Sequence, residues 1–324
     1  MSTGKIKKKI ARVVVSLSSP WFTLKTKEVR ITKEQDFSIN SLFIKEILSS
    51  EEKIFKTELA QKFAGNTEDS FNVIDRSMVY PRINGYPVQD FLGKSAKDFE
   101  VSLCMTAVAK TLEDKVINII SKNTHIERDK IMLYSFSIVM FSMIRDYFAE
   151  ESNFMLMDIT NEVTDITIVK NDIITDTASF PCGRNFMIHQ IAKASDISTE
   201  IALSSVYMYM QSKTHDAVSK KLEELIENSE KEWAIYLEDT LHTLSPDMIF
   251  PRNLYITASS DTAPLFMGFL RLPKADSTTD FRKNIHIVHI NDNNLSSFYD
   301  SESKMIEDEF IAILAIFCNK MFQV

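Results

Sequence analysis

The hydrophobic and polar residues of the N-terminal part follow a strand period first and a helix period afterwards. Residues 12–17 form an apolar run and residues 22–31 alternate, which predicts a buried strand followed by a half-buried one. Apolar residues then recur at helical spacing from Ser38 to about Leu59, with Ser38 as the expected N-cap. The pattern therefore predicts two strands and then a helix.

The next part of the sequence predicts two strands joined by a tight turn. Residues 71–83 and 86–108 have strand-like patterns, and Asn84 and Gly85 between them supply the two positive-φ positions that a short hairpin requires. A helical pattern follows from about residue 111 to residue 122. The N-terminal part is thus predicted to be a small α/β unit with the order strand, helix, strand, strand.

Three successive strands are predicted in the middle of the chain. An amphipathic helix over about 136–151 precedes them. Residues 154–160 are apolar on both faces, as a central strand requires, residues 165–171 alternate, and residues 172–180 follow a turn. These strands form a β-meander.

The C-terminal part alternates between helix and strand periods. A meander combined with this alternation indicates an α/β domain with a mixed sheet. Ser198 is the expected N-cap of the second predicted helix. Helices are predicted at 183–194, 198–212, 216–244, 262–272 and 304–322, and strands at 253–259 and 284–290.

The composition is that of a globular protein with an acidic balance. Of 324 residues, 44% are hydrophobic and 25% are charged, and the net charge is −8. This balance argues against nucleic acid as a general partner, because binding phosphate backbones needs a concentrated positive field. The basic cluster Lys5, Lys7, Lys8 and Lys9 lies in an expected N-terminal tail over residues 1–9. Four lysines without an apolar anchor bind membranes only weakly, so a solvated tail is favoured over a lipid or partner patch.

Cysteine and glycine restrict the chemistry further. Cys104, Cys182 and Cys318 have no metal-binding or redox spacing, so a reduced, cytoplasmic protein is expected. The sequence has neither a signal-peptide pattern nor an apolar run long enough to span a membrane. It contains six glycines in 324 residues, which argues against a function that needs several glycine-rich loops.

Two aspartates flank the first turn of the predicted meander. Asp158 could hold a magnesium ion through water, with Asp165 close by, while Thr160, Asn161 and Thr164 supply polar groups for a phosphate. Backbone cradles for phosphate normally contain glycine, and none lies between these aspartates. Residue types alone therefore favour a plain surface hairpin and leave the phosphate site as the alternative.

Gly183 and Arg184 form another candidate, because a glycine opens a predicted helix beside a basic residue. Arg184 could meet an anion at the helix N-terminus, but a turn glycine with a solvent-facing arginine is the favoured interpretation. His286 and His289 are three residues apart on a predicted strand, so they should point to opposite faces and not bind one metal together.

Taken in order, these elements resemble the actin-like proteins of the FtsA and PilM group. Residues 83–103 resemble the SHS2 domain that is inserted in this group. Residues 155–192 resemble its second phosphate hairpin, a third strand and a glycine-rich helix start. The matching positions are Asp158, Thr164, Asp165 and Gly183.

The resemblance implies a domain organisation. It implies an SHS2-like α/β domain over residues 10–124 and an actin-like, ribonuclease H-like domain with a mixed sheet over residues 125–324. Too few residues precede the first strand for the first phosphate hairpin of the group, so that hairpin is expected to be missing.

The sequence also departs from the group at three places that would approach a nucleotide. Thr160 and Arg184 replace glycines, and residues 258–263 lack the glycine pair of the adenosine motif. The expected function is therefore that of a non-enzymatic adaptor with a degenerate nucleotide cleft and no cofactor.

The resemblance places such an adaptor in a cell-division or type IV pilus complex, where it would bind partner peptides. It would be cytoplasmic, and peripheral at the inner face of the membrane through a partner or the N-terminal lysines. The alternative is a weak Mg-ATP-binding ATPase or a self-associating, filament-forming protein, with Asp158 as the magnesium ligand.

Overall fold

The computed structural model describes residues 10–148, 150–213, 216–271, 285–298 and 308–322. The chain divides into two units, residues 1–138 and residues 139–324. The expected lysine tail over residues 1–9 lies outside the described residues. Within the described ranges, no helix combines the length with the apolar content that crossing a membrane requires.

The first unit contains an antiparallel sheet and a separate parallel strand pair. Its elements are β1 (Val13–Leu17), β2 (Phe22–Ser38), α1 (Ser41–Lys62), β3 (Phe71–Ile83), β4 (Tyr86–Pro87), β5 (Ser95–Ala109), α2 (Lys110–Thr124) and β6 (Ile131–Ser135). Among the described residues, the sheet has the strand order β2-β5-β3-β4, and β1 pairs in parallel with β6. The first unit extends to residue 138 and includes the β1–β6 pair, and the SHS2-like domain over residues 10–124 stays a prediction.

One face of the antiparallel sheet packs on α1. Alternate residues of β5 point to this face and are buried with apolar residues from α1. The shared core includes Val29, Phe99, Val101, Leu103, Ile47, Phe55 and Leu59. Burial of these two amphipathic faces against each other is the main stabilising term of this unit.

The predicted hairpin between β3 and β4 is confirmed. Asn84 and Gly85 have φ angles of 51° and 82°, as the tight turn requires. The Asn84 side chain also accepts hydrogen bonds from the backbone N–H groups of Lys97 and Asp98, at 2.9 and 3.0 Å. Asn84 therefore joins the turn to β5.

The predicted N-cap of α1 is wrong. Ser38 ends β2, where it pairs with Ser95, and the helix begins at Ser41. Asn40 is the cap, because its side-chain oxygen accepts a 2.9 Å hydrogen bond from the Phe43 N–H. Ser38 and Asn40 are both good capping residues, so periodicity could not distinguish them.

Asn40→Ala is expected to lower the free energy of unfolding by about 1 kcal/mol, because it removes the cap. Ser38→Ala is the matched control and should change this free energy by less than about 0.5 kcal/mol, since Ser38 is exposed on β2. Urea denaturation of both variants measures the difference. Equal losses would contradict the assignment of the cap.

The second unit contains a mixed sheet with helices. After α3 (Phe136–Tyr147) come β7 (Phe154–Ile159), β8 (Thr164–Lys170), β9 (Ile173–Phe180), α4 (Arg184–Ser195), α5 (Thr199–Met210), α6 (Asp216–Leu244), β10 (Asn253–Ala258), α7 (Ala263–Arg271), β11 (His286–His289), α8 (Asp292–Leu295) and α9 (Glu309–Phe322). Among the described residues, the strand order is β11-β10-β7-β8-β9. The strands β11, β10 and β7 are parallel, and β8 is antiparallel to both of its neighbours, β7 and β9, so the predicted meander and mixed sheet are confirmed.

The two faces of this sheet have different neighbours. Residues such as Met157, Ile166 and Ile256 belong to a core formed with α4 to α7, where Trp233 is fully buried. On the other face, the ring of Phe154 stacks 6.3 Å from the ring of Phe141 in α3. Ser198 caps α5 as predicted, because its side chain accepts a hydrogen bond from the Ile201 N–H.

Candidate functional site

Asp158 and Asp165 lie directly opposite each other on β7 and β8. Thr257, on the neighbouring strand β10, is in register with Asp158. Its hydroxyl donates a 2.7 Å hydrogen bond to Asp158 Oδ1. All three side chains are buried, so the sheet brings together two acidic groups and one hydroxyl on the same face.

Burial changes the protonation of Asp158. Burial, and after it the nearby Asp165 carboxylate, raise the pKa of this carboxyl to about 8, although the hydrogen bond from Thr257 acts to lower it. Asp158 Oδ2 is buried and has no hydrogen-bond partner among the residues that the structure describes. Without a cation beside it, Asp158 therefore holds its proton more tightly than an exposed aspartate does.

The tip of the hairpin between β7 and β8 is closed by its own hydrogen bonds. The Thr160 N–H and Thr160 hydroxyl donate to the Val163 carbonyl at 2.9 and 2.8 Å. The Val163 N–H in turn donates to Thr160 Oγ1 at 3.1 Å. The threonine that replaces the expected glycine thus forms part of the turn, and these backbone donors already have partners within the tip.

The start of α4 binds the same tip. The N–H groups of Gly183, Arg184 and Asn185 donate to the carbonyls of Glu162, Thr160 and Asn161, at 3.1, 2.9 and 2.7 Å. The first N–H groups of a helix have no partner within the helix, which is why helix N-termini bind anions. Here the carbonyl oxygens of the hairpin tip accept the hydrogen bonds that an anion would otherwise accept.

Gly183 permits this close approach. A Cβ atom at this position would lie 2.4 Å from the Thr160 carbonyl oxygen and 2.7 Å from the Asn161 carbonyl oxygen. The φ angle of Gly183 is −102°, which any residue can adopt. The glycine is needed for packing between helix and hairpin, and not for an unusual backbone conformation.

Arg184 forms an ion pair with Asp261 in the loop between β10 and α7. Arg184 Nη1 lies 3.3 Å from Asp261 Oδ2, and both side chains are partly buried. Within the described part of the chain, Arg184 Nε is buried and has no hydrogen-bond partner. The guanidinium, which the favoured interpretation pointed to solvent, is therefore directed at a carboxylate 77 residues away in sequence.

The hydroxyl of Thr164 is hydrogen-bonded to other residues of the protein core. Its hydroxyl donates a 2.7 Å hydrogen bond to the Cys182 carbonyl and accepts one of 3.4 Å from Trp233 Nε1. Cys182 is buried, and burial raises the pKa of its thiol to about 11, so it is a poor nucleophile. Thr164 thereby connects the hairpin to the core of the unit.

All seven predicted site residues lie at this junction of hairpin and helix: Asp158, Thr160, Asn161, Thr164, Asp165, Gly183 and Arg184. Their role toward a nucleotide stays a prediction. Sequence reasoning missed Thr257 and Asp261, whose distance along the chain gives no local signal.

In the described part of the chain, no group of three or more histidine, cysteine, aspartate or glutamate side chains could hold a metal ion. Magnesium would therefore depend on Asp158 together with water and phosphate oxygens.

Gly183→Ala is expected to displace the hairpin tip and to lower the free energy of unfolding by about 1–3 kcal/mol, the usual cost of overpacking. Gly268→Ala in α7 is the matched control, because a Cβ there meets open space. That control should leave stability unchanged or raise it by up to about 1 kcal/mol. Chemical denaturation checks both, and a tolerated alanine at Gly183 would contradict the contact.

Asp158→Asn is expected to flatten the pH dependence of stability. The folded-state pKa lies above the ordinary value of 3.8, so the folded protein holds this proton more tightly than the unfolded chain. The wild-type free energy of unfolding should therefore fall as pH rises from about 4 to about 8, by up to about 1.4 kcal/mol per pH unit from this group. Denaturation at several pH values measures the slope, and equal slopes in both proteins would contradict the raised pKa.

The fold is similar to that of solved actin-like structures. A PilM-PilN type IV pilus biogenesis complex matches with a TM-score of 0.61 and 14% identity over 95% of this chain and 79% of that chain. The ethanolamine utilization protein EutJ from Carboxydothermus hydrogenoformans matches more weakly, with a TM-score of 0.36 and 15% identity over 58% of this chain and 56% of that chain.

The sequence matches no protein-family model and no curated protein. An identity of 14% to the PilM-PilN structure is a likeness of fold alone. The chain has the actin-like fold that its resemblance to the PilM group predicted, and this prediction is confirmed.

Proposed function

We propose that this protein is a non-enzymatic, actin-like adaptor of an inner-membrane complex, most directly one of the type IV pilus kind. The observation that carries the proposal is the closed junction between hairpin and helix. The N–H groups of Thr160 and Val163 are bonded within the tip, and the three N–H groups at the start of α4 are bonded to carbonyl oxygens of the tip. A protein with this fold and a closed site acts through its partners and not through turnover.

The ion pair between Arg184 and Asp261 supports the same conclusion. By resemblance, the helix that begins at Arg184 would face phosphate, and the loop with Asp261 would face adenosine. The pair joins these two segments, at a distance of 3.3 Å between charged atoms. A nucleotide would have to break the pair and desolvate both charges, which opposes binding.

A groove in the first unit is the proposed binding site for a partner protein. It has a volume of about 370 Å³, and its lining combines aromatic and aliphatic residues with the polar Thr23, Asn66 and Thr111 and the charged Lys115. The side chains of Trp21 and Phe63 line it and are 58% and 42% exposed. Exposed aromatic side chains in a concave apolar site are typical anchors for a peptide.

The solved PilM-PilN complex pairs an actin-like protein with a second pilus protein. We propose a corresponding partner here: the cytoplasmic tail of a membrane protein, with an apolar anchor residue for the groove and an acidic residue for Lys115. Such a tail would hold the adaptor at the inner face of the membrane. The proposal also assigns the unit around β2, α1, β3 and β5 as the SHS2-like domain.

A cell-division complex of the FtsA kind is the related candidate for the same adaptor role. The enzyme alternative, a weak Mg-ATP-binding protein, has one observation in its favour. Asp158 and Asp165 face each other on the hairpin where the group resemblance places a magnesium site. The hydrogen bonds that join the hairpin tip to the start of α4 weigh against this alternative.

Trp21→Ala is expected to weaken binding of the partner's tail peptide at least about tenfold. A tryptophan that becomes buried when a peptide binds is a frequent hot spot of the interface. Tyr86→Ala is the matched control, since Tyr86 is 75% exposed and lies outside the groove. Fluorescence anisotropy with labelled tail peptides from pilus and division membrane proteins measures the affinities. The proposal fails if no such peptide binds the wild type, or if both variants bind it equally well.

A further inference from the structure

Helix α5 presents an apolar stripe to solvent on the side away from the core. Ala202 and Val206 belong to the core of the second unit and are fully buried. Ile201 and Met208 lie seven residues apart, and therefore on one stripe, and are 55% and 47% exposed. Glu200 is the one charged residue among the 12 of this helix. Surface helices normally direct charged residues away from the core, so this stripe is typical of a surface that another protein covers.

A groove of about 290 Å³ lies beside the C-terminal half of the stripe. It is lined by side chains of α5, Tyr207 and Met208 among them, and by Asp261 and Thr262 of the loop between β10 and α7. Asp261 is the charged residue among the described residues of the lining, and it is already paired with Arg184 at 3.3 Å. The groove is therefore suited to an apolar side chain and not to a charged one.

The protruding and the concave parts of this surface fit a second copy of the same helix. Ile201 protrudes at one end of the stripe, and Met208 borders the groove at the other end. Two copies of α5 that pack antiparallel about a two-fold axis between Ser204 and Ser205 place each Ile201 opposite Met208 of the other copy. Both residues at the crossing are small, so the helices can approach closely. Each copy thus brings an apolar side chain to the rim of the other copy's groove.

The charges at the two ends of α5 favour the same antiparallel orientation. The segment from the end of α4 to the turn after α5 contains three charged residues, all exposed: Asp196 and Glu200 at the N-terminal end and Lys213 at the C-terminal end. Asp196 and Lys213 have the same midpoint in the sequence as Ile201 and Met208, so one two-fold axis brings both pairs together. Exposed ion pairs contribute little affinity, but they fix the orientation of two partners.

The other charged residues near the stripe do not favour a partner of different chemistry. Asp261 is paired with Arg184. Glu223 and Glu227 lie beside Tyr209, on the flank of α5 that packs against α6. The stripe between the two charged ends is uncharged, and a second copy supplies an apolar stripe of the same length with the opposite charge at each end.

We propose that α5 forms an isologous contact with α5 of a second copy, which makes the protein a two-fold symmetric dimer. Because both copies use the same surface, the contact closes at two copies and does not by itself extend into a filament. The surface is separate from the Trp21 groove, so the inference goes beyond the proposed function and does not depend on it. A dimer would present two peptide grooves and could hold two membrane-protein tails at once.

Sedimentation equilibrium of the full chain, at concentrations up to about 100 μM, should show a reversible equilibrium between monomer and dimer. Ile201→Arg should weaken the dimer at least about tenfold, because it places an unpaired charge in an apolar contact. Ile235→Arg is the matched control and should dimerise like the wild type. Ile235 lies on α6, outside the stripe, and its exposed fraction of 54% is nearly that of Ile201.

Cross-linking tests the position of the two-fold axis. Ser204→Cys and Ser205→Cys each place a thiol next to its equivalent in the other copy, within the distance that a disulfide requires. At least one of these variants should form a disulfide-linked dimer on mild oxidation, whereas Ser49→Cys, on an exposed part of α1, should not.

Three results would overturn the proposal. The first is a wild-type chain that stays monomeric over the whole concentration range, which would leave the stripe to solvent or to a different protein. The second is equal dimerisation of Ile201→Arg and Ile235→Arg. The third is failure of both serine variants of α5 to cross-link faster than Ser49→Cys.

Discussion

The contact between the β7–β8 hairpin tip and the start of α4 is the constraint on which the candidate site depends. Three N–H groups of the helix donate to three successive carbonyls of the tip. This arrangement is possible because Gly183 has no side chain where the Thr160 and Asn161 carbonyls approach. A helix terminus that could have held an anion instead fixes the hairpin in place.

The remaining features of the site follow from this closed junction. Arg184 begins the helix and is held against Asp261, so the loop after β10 is tied to the same junction. Asp158, beneath the tip, is shielded from water, and this burial raises the pKa of its carboxyl. Because the tip, the helix start and Arg184 are bonded to one another, the open concave surfaces of the first unit become the better candidates for molecular recognition.

Local sequence signals predicted the elements well and the contacts between them poorly. Gly85 and the alternating strands around it identified the hairpin, because turn chemistry and strand period are local properties. The choice between Ser38 and Asn40 as a cap depended on where β2 ends, which is decided by its pairing with β5. The ion pair of Arg184 with Asp261 could not be predicted, because it depends on the packing of segments 77 residues apart.

We propose that the junction of hairpin and helix, which resembles the phosphate hairpin of the FtsA and PilM group, does not bind nucleotide. Isothermal titration calorimetry of the full chain with ATP and magnesium tests it most directly. The closed junction predicts no saturable binding up to millimolar nucleotide. Micromolar binding that requires magnesium and is abolished by Asp158→Ala would contradict the account and would support the ATPase alternative.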